Sequence, residues 1–382
     1  MATHDISKKS GIRYEWSCVS MVSLFLNPVQ FISEQFFLDH EQVVSLKKKM
    51  QNQVKEIFER HYGIELGQND LEIINESRNF IYRVCNLDVT DISESSVIVK
   101  IVNSDQENPL GNVEYNAYDW LSSEDDTFNI PKCFLKGMLS KDCYYYLILE
   151  DIKGRTLLEL MDELVKDEIF CCQAMSQIVN FIKKCSLKSV KDRRFGPLDH
   201  DMRGRYQNYQ EFISSCLQEQ NRLLNGCPTH NSQDIYVNKR TELLLPYLED
   251  LTNFFMKNPL LNETNPHLVP IDFNPANFIW CQESSLLVVI DLEVFVGADE
   301  MFALGCVMAN WYHMPAFKVF EKCWGEITDL KRACAFALLR CLNIMIHLAI
   351  NTNLNLTDVT PFGNTTPFIQ LMEIFRGKLK DL

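Results

Sequence analysis

Apolar positions along this chain change their spacing at defined points. Between Asp39 and Tyr62, residues Val43, Val44, Leu46, Met50, Val54, Ile57 and Phe58 recur near helical spacing, which predicts a helix. Three short β-branched and aromatic runs follow, Leu71 to Ile74, Asn79 to Val84 and Ser96 to Val102, divided by polar turn residues. They predict a small antiparallel sheet. After the breaker Asn108-Pro109-Leu110-Gly111, residues Val113, Ala117, Trp120 and Leu121 share one helical stripe, with Glu114 off its centre. Two further strands are expected around Ile130 to Leu135 and Tyr144 to Glu150.

Beyond Lys153-Gly154 the helical period takes over, in Leu157 to Glu163, Ile169 to Ser186, Tyr206 to Leu224 and Thr241 to Met256. One stretch breaks it. The segment from His267 to Asn277 reads as a loop that runs into Phe278-Ile279-Trp280, a turn at Glu283-Ser284-Ser285, and the apolar run Leu286 to Ile290 closed by Asp291. The chain thus divides into an N-terminal extension with a helix (1–62), a sheet-rich lobe (63–153) and a mainly helical lobe (154–382). The expected fold class is α+β with two lobes.

Composition narrows the function. At 46% hydrophobic and 23% charged over 382 residues, the chain can bury a large core. Its net charge of −14 repels nucleic acid and anionic membrane surfaces and favours a cationic partner. The 14 cysteines show no Cys-x-x-Cys and no zinc-ligand spacing, so a reducing, cytoplasmic setting is expected. The N-terminus has no continuous apolar core of a signal peptide, and export is not expected. The most apolar segment, Ala333 to Ile350, contains Arg340, Asn343 and His347, which argues for a buried helix of a soluble protein rather than a bilayer span.

P-loop, dinucleotide, zincin and nucleophile-elbow motifs are all absent. What remains is an ordered set: Lys100 inside a β-branched strand, Glu114 early in the next helix, Asp272 and Asn277 as Asp-x-x-x-x-Asn, and Asp291 at the end of an apolar strand. Taken singly, each has an ordinary reading. Lys100 would snorkel from an edge strand, Glu114 would be solvated, and Asp272 and Asp291 would form turns. Taken in order, they answer the needs of phosphoryl transfer. A strand lysine fixed by a glutamate reaches phosphate oxygens, hard oxygen ligands hold Mg²⁺, and a separate aspartate orients or deprotonates the attacking hydroxyl.

The set resembles the aminoglycoside phosphotransferase and choline kinase-like superfamily, small-molecule kinases with a bilobal protein-kinase-like fold. Residues 74–84 resemble its phosphate-covering hairpin, Tyr146 to Gly154 its hinge strand, Leu268 to Phe278 its His-Gly-Asp-x-x-x-x-Asn loop, and Val288 to Glu293 its metal-binding strand end. The resemblance implies ATP or GTP with Mg²⁺ as cofactors, and Asp272 as the catalytic residue. It also implies Lys100, Glu114, Ser77, Glu150 and Ile152 at the nucleotide, and Asn277 and Asp291 on the metal. Glu293 and Asp299 are candidates to face a cationic acceptor or a second metal, with a salt bridge the equal alternative. The implied acceptor is a small hydroxyl- and amine-bearing molecule, an aminoglycoside-like antibiotic first, with choline, amino alcohols and sugars as alternatives. The sequence departs from the pattern at Pro270-Ile271, which replaces His-Gly, in the glycine-free hairpin, and at Phe302 to Gly305, which lacks a family carboxylate. A catalytically silent binding protein of the same fold is the rival reading.

Overall fold

The computed structural model describes residues 40–381, apart from 77–78, 89–91, 93–94, 104–109, 123–127, 140–143, 200, 227–241, 260–264, 352–354 and 362. The expected place of Ser77 at the nucleotide lies outside the described residues, as does the chain before residue 40. The N-terminal lobe opens with helix α1 (His40–Tyr62), followed by β1 (Leu71–Glu76), β2 (Phe80–Cys85), β3 (Ser96–Asn103), α2 (Leu110–Ser122), β4 (Cys133–Met138) and β5 (Tyr144–Glu150). The strands form one antiparallel sheet in the order β1-β2-β3-β5-β4.

Period-2 alternation gives this sheet two apolar faces. Phe80, Tyr82, Val84, Val97, Val99, Ile101, Tyr146 and Ile148 pack on the buried side of α1, against Met50, Val54, Ile57 and Phe58. Tyr145, Leu147 and Leu149 point the other way and join Val113, Ala117 and Tyr118 of α2 in a core continuous with the second lobe. Lys100 alternates with Val99 and Ile101, so it faces α2 and the second lobe. Its strand is also central, paired on both sides, which removes the edge-strand reading.

The second lobe contains β6 (Arg155–Thr156), α3 (Met161–Lys166), α4 (Glu168–Ser186), β7 (Phe195–Leu198), β8 (Gly204–Tyr206), α5 (Tyr209–Gly226) and α6 (Leu245–Lys257). It continues with β9 (His267–Pro270), β10 (Phe278–Cys281), β11 (Leu286–Val289), β12 (Phe295–Ala298), α7 (Glu300–Trp311), α8 (Pro315–Trp324), α9 (Leu330–Asn351) and α10 (Phe368–Asp381). Its strands make two small sheets, β11-β10-β6 and β8-β7-β12-β9. The segment Leu330–Ile350 is apolar and long enough to cross a membrane by composition, yet it is packed inside the lobe. The described cysteines are all free thiols.

Three helix starts differ from the periodicity, each for a local reason. The first helix of this lobe begins at Met161, because Thr156 and Glu159 form their own hydrogen-bonded turn before it. The next start shifts from Tyr206 to Tyr209, because Asn208 accepts from the Glu211 N–H at 2.8 Å and caps the helix there. At α6, Pro246 sits in the first turn, the position a proline tolerates.

Candidate active site

Alternation along β3 delivers the Lys100 ammonium to a point beneath the sheet, where it meets three carboxylates from separate parts of the chain. Its Nζ lies 2.8 Å from Glu114 Oε2, 2.8 Å from Asp291 Oδ1 and 2.9 Å from Glu293 Oε1. Lys100, Glu114 and Glu293 are buried, while Asp291 keeps 24% of its side chain exposed. Glu114 sits beside Val113 on the inner face of α2, so the off-centre position that the periodicity allowed is a buried one. Asn79, at the β1–β2 turn, donates its amide to Glu293 Oε1 and ties the hairpin to the cluster.

The electrostatics follow from burial with an excess of negative charge. Desolvation pushes Glu114 up to about 8, offset in part by Lys100 and reinforced by Glu293. Desolvation also pushes Asp291 up to about 6, with repulsion from Glu293 adding to it, against the pull of Lys100. Burial acts against the charged form of Lys100, but Asp291, Glu114 and Glu293 outweigh it and hold its pKa well above the ordinary value. The lysine is therefore a fixed cation.

Asp272 and Asn277 flank a short turn after β9. Pro275 and Ala276 lead into Asn277 through one turn of 3₁₀-helix, which Asn274 caps by accepting from the Ala276 N–H at 3.0 Å. Asn277 donates its side-chain amide to Asp272 Oδ2 at 2.9 Å, so its side-chain oxygen is the atom with cation-ligand chemistry. The Ile290 N–H donates to the Asn277 carbonyl at 2.9 Å, which sets Asp291 beside this turn. Asp272 is close enough to add to the repulsion on Asp291.

The loop is braced with Pro270-Ile271 where a His-Gly pair was the expected pattern. Ile271 is fully buried and its N–H reaches the Val294 carbonyl at 3.4 Å. Phe273 stacks on Phe278, and the Trp311 indole donates to the Phe273 carbonyl at 2.7 Å. Apolar packing and one indole hold the turn from below. Asp291 itself adopts φ = 62°, a left-handed conformation that is costly for a non-glycine residue and concentrates at functional turns.

The hinge between the lobes follows β5. Glu150 closes that strand, where its N–H donates to the Lys132 carbonyl at 2.8 Å and its carboxylate accepts from the Lys132 N–H at 3.1 Å. Ile152 is half-buried beyond it. Between them, Asp151 is buried and gathers Ser96 Oγ at 2.7 Å, Arg83 Nε at 3.0 Å and Lys153 Nζ. Sequence reasoning missed this anchor, although an aspartate at the end of an apolar strand was a signal. A Cβ on Gly154 would meet the Trp280 carbonyl oxygen at 2.4 Å, so only glycine lets the hinge exit lie against the β10–β11 hairpin. The Val289 N–H donates to the Asn129 carbonyl at 2.8 Å, a second tie between the lobes.

Two of the expected acceptor-facing residues are placed otherwise. Glu293 is 1% exposed and is engaged by Lys100 and Asn79. It belongs to the cluster under the sheet, since it sits in the turn between β11 and β12, two residues after Asp291. Asp299 is 4% exposed and caps α7, accepting from the Phe302 N–H at 3.1 Å and pairing with Arg332 at 3.3 Å. The salt-bridge alternative describes it.

Ligand oxygens of Glu114, Asp291 and Glu293 approach one another closely enough to share one cation. Three carboxylates against the single ammonium of Lys100 leave an excess of negative charge. Asp291 and Asn277 carry hard oxygen donors of the kind Mg²⁺ takes.

No protein-family model matches the chain, and no curated protein matches it in sequence. Solved structures do match in fold. A thermostable mutant of aminoglycoside phosphotransferase APH(4)-Ia in its apo form aligns with a TM-score of 0.55 at 15% identity, over 85% of this chain and 97% of that one. A further structure of a thermostable mutant of the same enzyme, in a ternary complex with AMP-PNP and hygromycin B, aligns at 0.53 and 15% identity, over 86% and 96%. The chain has the bilobal protein-kinase-like fold of these phosphotransferases.

Proposed function

We propose that the protein is a small-molecule kinase that transfers the γ-phosphoryl group of ATP or GTP to a hydroxyl of a small polar, cationic acceptor. The observation that carries this reading is the convergence of Lys100, Glu114 and Asp291, up to 191 positions apart in sequence, beside the Asp272–Asn277 turn. In this reading Lys100, held by Glu114, clamps nucleotide phosphates. Glu150 and Ile152 border the base at the hinge, and Asp272 orients the acceptor hydroxyl and draws off its proton. Asn277 and Asp291 would hold Mg²⁺, which supplies charge neutralisation between the phosphates. Transfer is direct from nucleotide to acceptor, with Asp272 acting on the acceptor hydroxyl rather than carrying the phosphoryl group.

The APH(4)-Ia complex with AMP-PNP and hygromycin B supports a nucleotide and an aminoglycoside-like antibiotic as the first pair to test. Incubation with Mg²⁺ and ATP or GTP against a pooled panel of aminoglycosides, amino alcohols, choline and sugars, read by mass spectrometry, tests it. A phosphoryl mass gain that disappears in Asp272→Ala is expected. Nucleotide binding with no gain on any acceptor would point to the catalytically silent rival, and no nucleotide binding would refute both.

A further inference from the structure

Three thiols lie where α4 packs against α8 in the helical lobe. Cys171 and Cys172 follow one another in α4, and Cys323 lies in the last turn of α8. Lys183 of α4 fixes the end of α8 by donating to the Trp324 carbonyl at 3.0 Å, with its ammonium 5.5 Å from the centre of the Trp324 ring. Successive residues of a helix point in different directions, so the adjacent cysteines part company. Cys171 is buried in the core, while Cys172 is exposed. Cys323 is half-buried at the edge of that core, and its thiol shares a hydrogen bond with the thiol of Cys172.

A free cysteine ordinarily serves as a small apolar residue of the core. That account covers Cys171, whose thiol burial pushes up to about 11, but not Cys172, the one exposed cysteine among the described residues. A metal does not account for the pair either: among the described residues, no third Cys, His, Asp or Glu offers a ligand atom close enough to both sulfurs to complete a metal set. What two touching thiols can do, when one of them meets solvent and the other lies behind it, is oxidise together. Closing the bond brings the sulfurs to about 2 Å, and side-chain rotation is the movement that does so between thiols already in contact.

We infer that Cys172 and Cys323 are a redox pair that closes to a reversible disulfide on meeting a small disulfide oxidant such as oxidised glutathione. Cys172 gives up its proton to solvent, and the thiolate attacks one sulfur of the oxidant; a mixed disulfide forms and one glutathione leaves as its thiolate. Cys323 then gives up its proton and attacks the Cys172 sulfur, and the second glutathione leaves. Two electrons pass from the cysteines to the oxidant, and two protons end on the departing thiols. The bond ties α8 to the helix that grips the β10–β11 hairpin, where Gln177 accepts from the Leu287 N–H at 2.8 Å and donates to the Ser285 carbonyl at 3.0 Å. It closes a long loop that contains Asp272, Asn277 and Asp291, which restricts the unfolded chain, so the oxidised protein should melt higher. The pair is separate from the carboxylate cluster under the sheet and does not depend on the kinase reading.

The test treats the folded full chain with oxidised glutathione and maps its peptides by mass spectrometry without reduction. A linked peptide pair carrying Cys172 and Cys323 is expected, together with a rise in melting temperature, and dithiothreitol should reverse both. Cys172→Ser and Cys323→Ser should each lose the link and the rise, while Cys171→Ser keeps them, with folding checked by circular dichroism. Should a variant fail to fold, the peptide map of the native chain still identifies the bond. Glutathione held on Cys172 with no closure, a Cys171–Cys323 bond, a link between two chains, a link that forms only after denaturation, a link with no rise in melting temperature, or no oxidation at all would each overturn the inference.

Discussion

The molecule buries charge in two places, and they are built in opposite ways. Under the N-terminal sheet, one ammonium meets three carboxylates at 2.8 to 2.9 Å; in the helical lobe, the buried Arg340 guanidinium has no hydrogen-bond partner among the described residues. The first is crowded with partners and has an excess of negative charge. The second is short of partners. Burial alone therefore says little about what such a group does; which charges the packing brings against it decides that.

The comparison sharpens under mutation. The largest effect should come from Asp272→Ala and Asp291→Ala, each lowering turnover by about 10³-fold, within the range for a positioned acid–base or electrostatic group, while circular dichroism stays native. A folded Asp291→Ala with full activity would remove Asp291 from the site. Lys100→Met should come next, since it leaves three carboxylates with no cation. A loss of about 3–5 kcal/mol in denaturant unfolding is expected. Arg340→Met should show no such loss, because it removes a buried charge that has no hydrogen-bond partner; equal losses at the two places would erase the contrast between them.

His347 gives the pH arm. Its folded pKa is depressed, so its contribution is fully present above 6.5 and is lost as pH falls from 6.5 toward about 4. That depression corresponds to about 3 kcal/mol. Unfolding free energy measured across that window should fall less steeply in His347→Leu than in the native chain, and parallel slopes would contradict the assignment. The smallest effect should be that of Asp299→Ala, which removes a helix cap and the partner of Arg332. About 1–2 kcal/mol in unfolding is expected, with substrate affinity unchanged. A selective rise in KM without loss of stability would return Asp299 to the acceptor site.

Much of this was legible in the chain because the relevant signals are short-range. Period-2 runs at residues 80–84, 96–102 and 144–150 predict the strands of the N-terminal sheet, and the spacing of Asp272, Asn277 and Asp291 marks a loop and hairpin that the structure shows. The four-stranded sheet of β7, β8, β9 and β12 was not legible. Its strands have only three or four residues, and Gly196, Pro197 and Gly297 interrupt any alternation. The bracing of the Asp272 loop by Ile271, Phe273 and Trp311 was hidden for a related reason: buried apolar residues look alike until their partners are known.

The sequence by itself determined the strands of the N-terminal sheet and several of the helices, which lobe is sheet and which is helix, and which residues have the chemistry to meet phosphate and cation. Those properties depend on neighbours within a few positions, through backbone propensity, turn chemistry and the period of the apolar face. Only the tertiary structure decided that Glu293 belongs with Lys100, that Asp299 is a cap, and that Arg340 lies buried without a hydrogen-bond partner. Periodicity assigns a side chain to a face, but which charge meets it there depends on how distant segments pack, and the low dielectric of the interior then makes each such pairing, or its absence, energetically decisive.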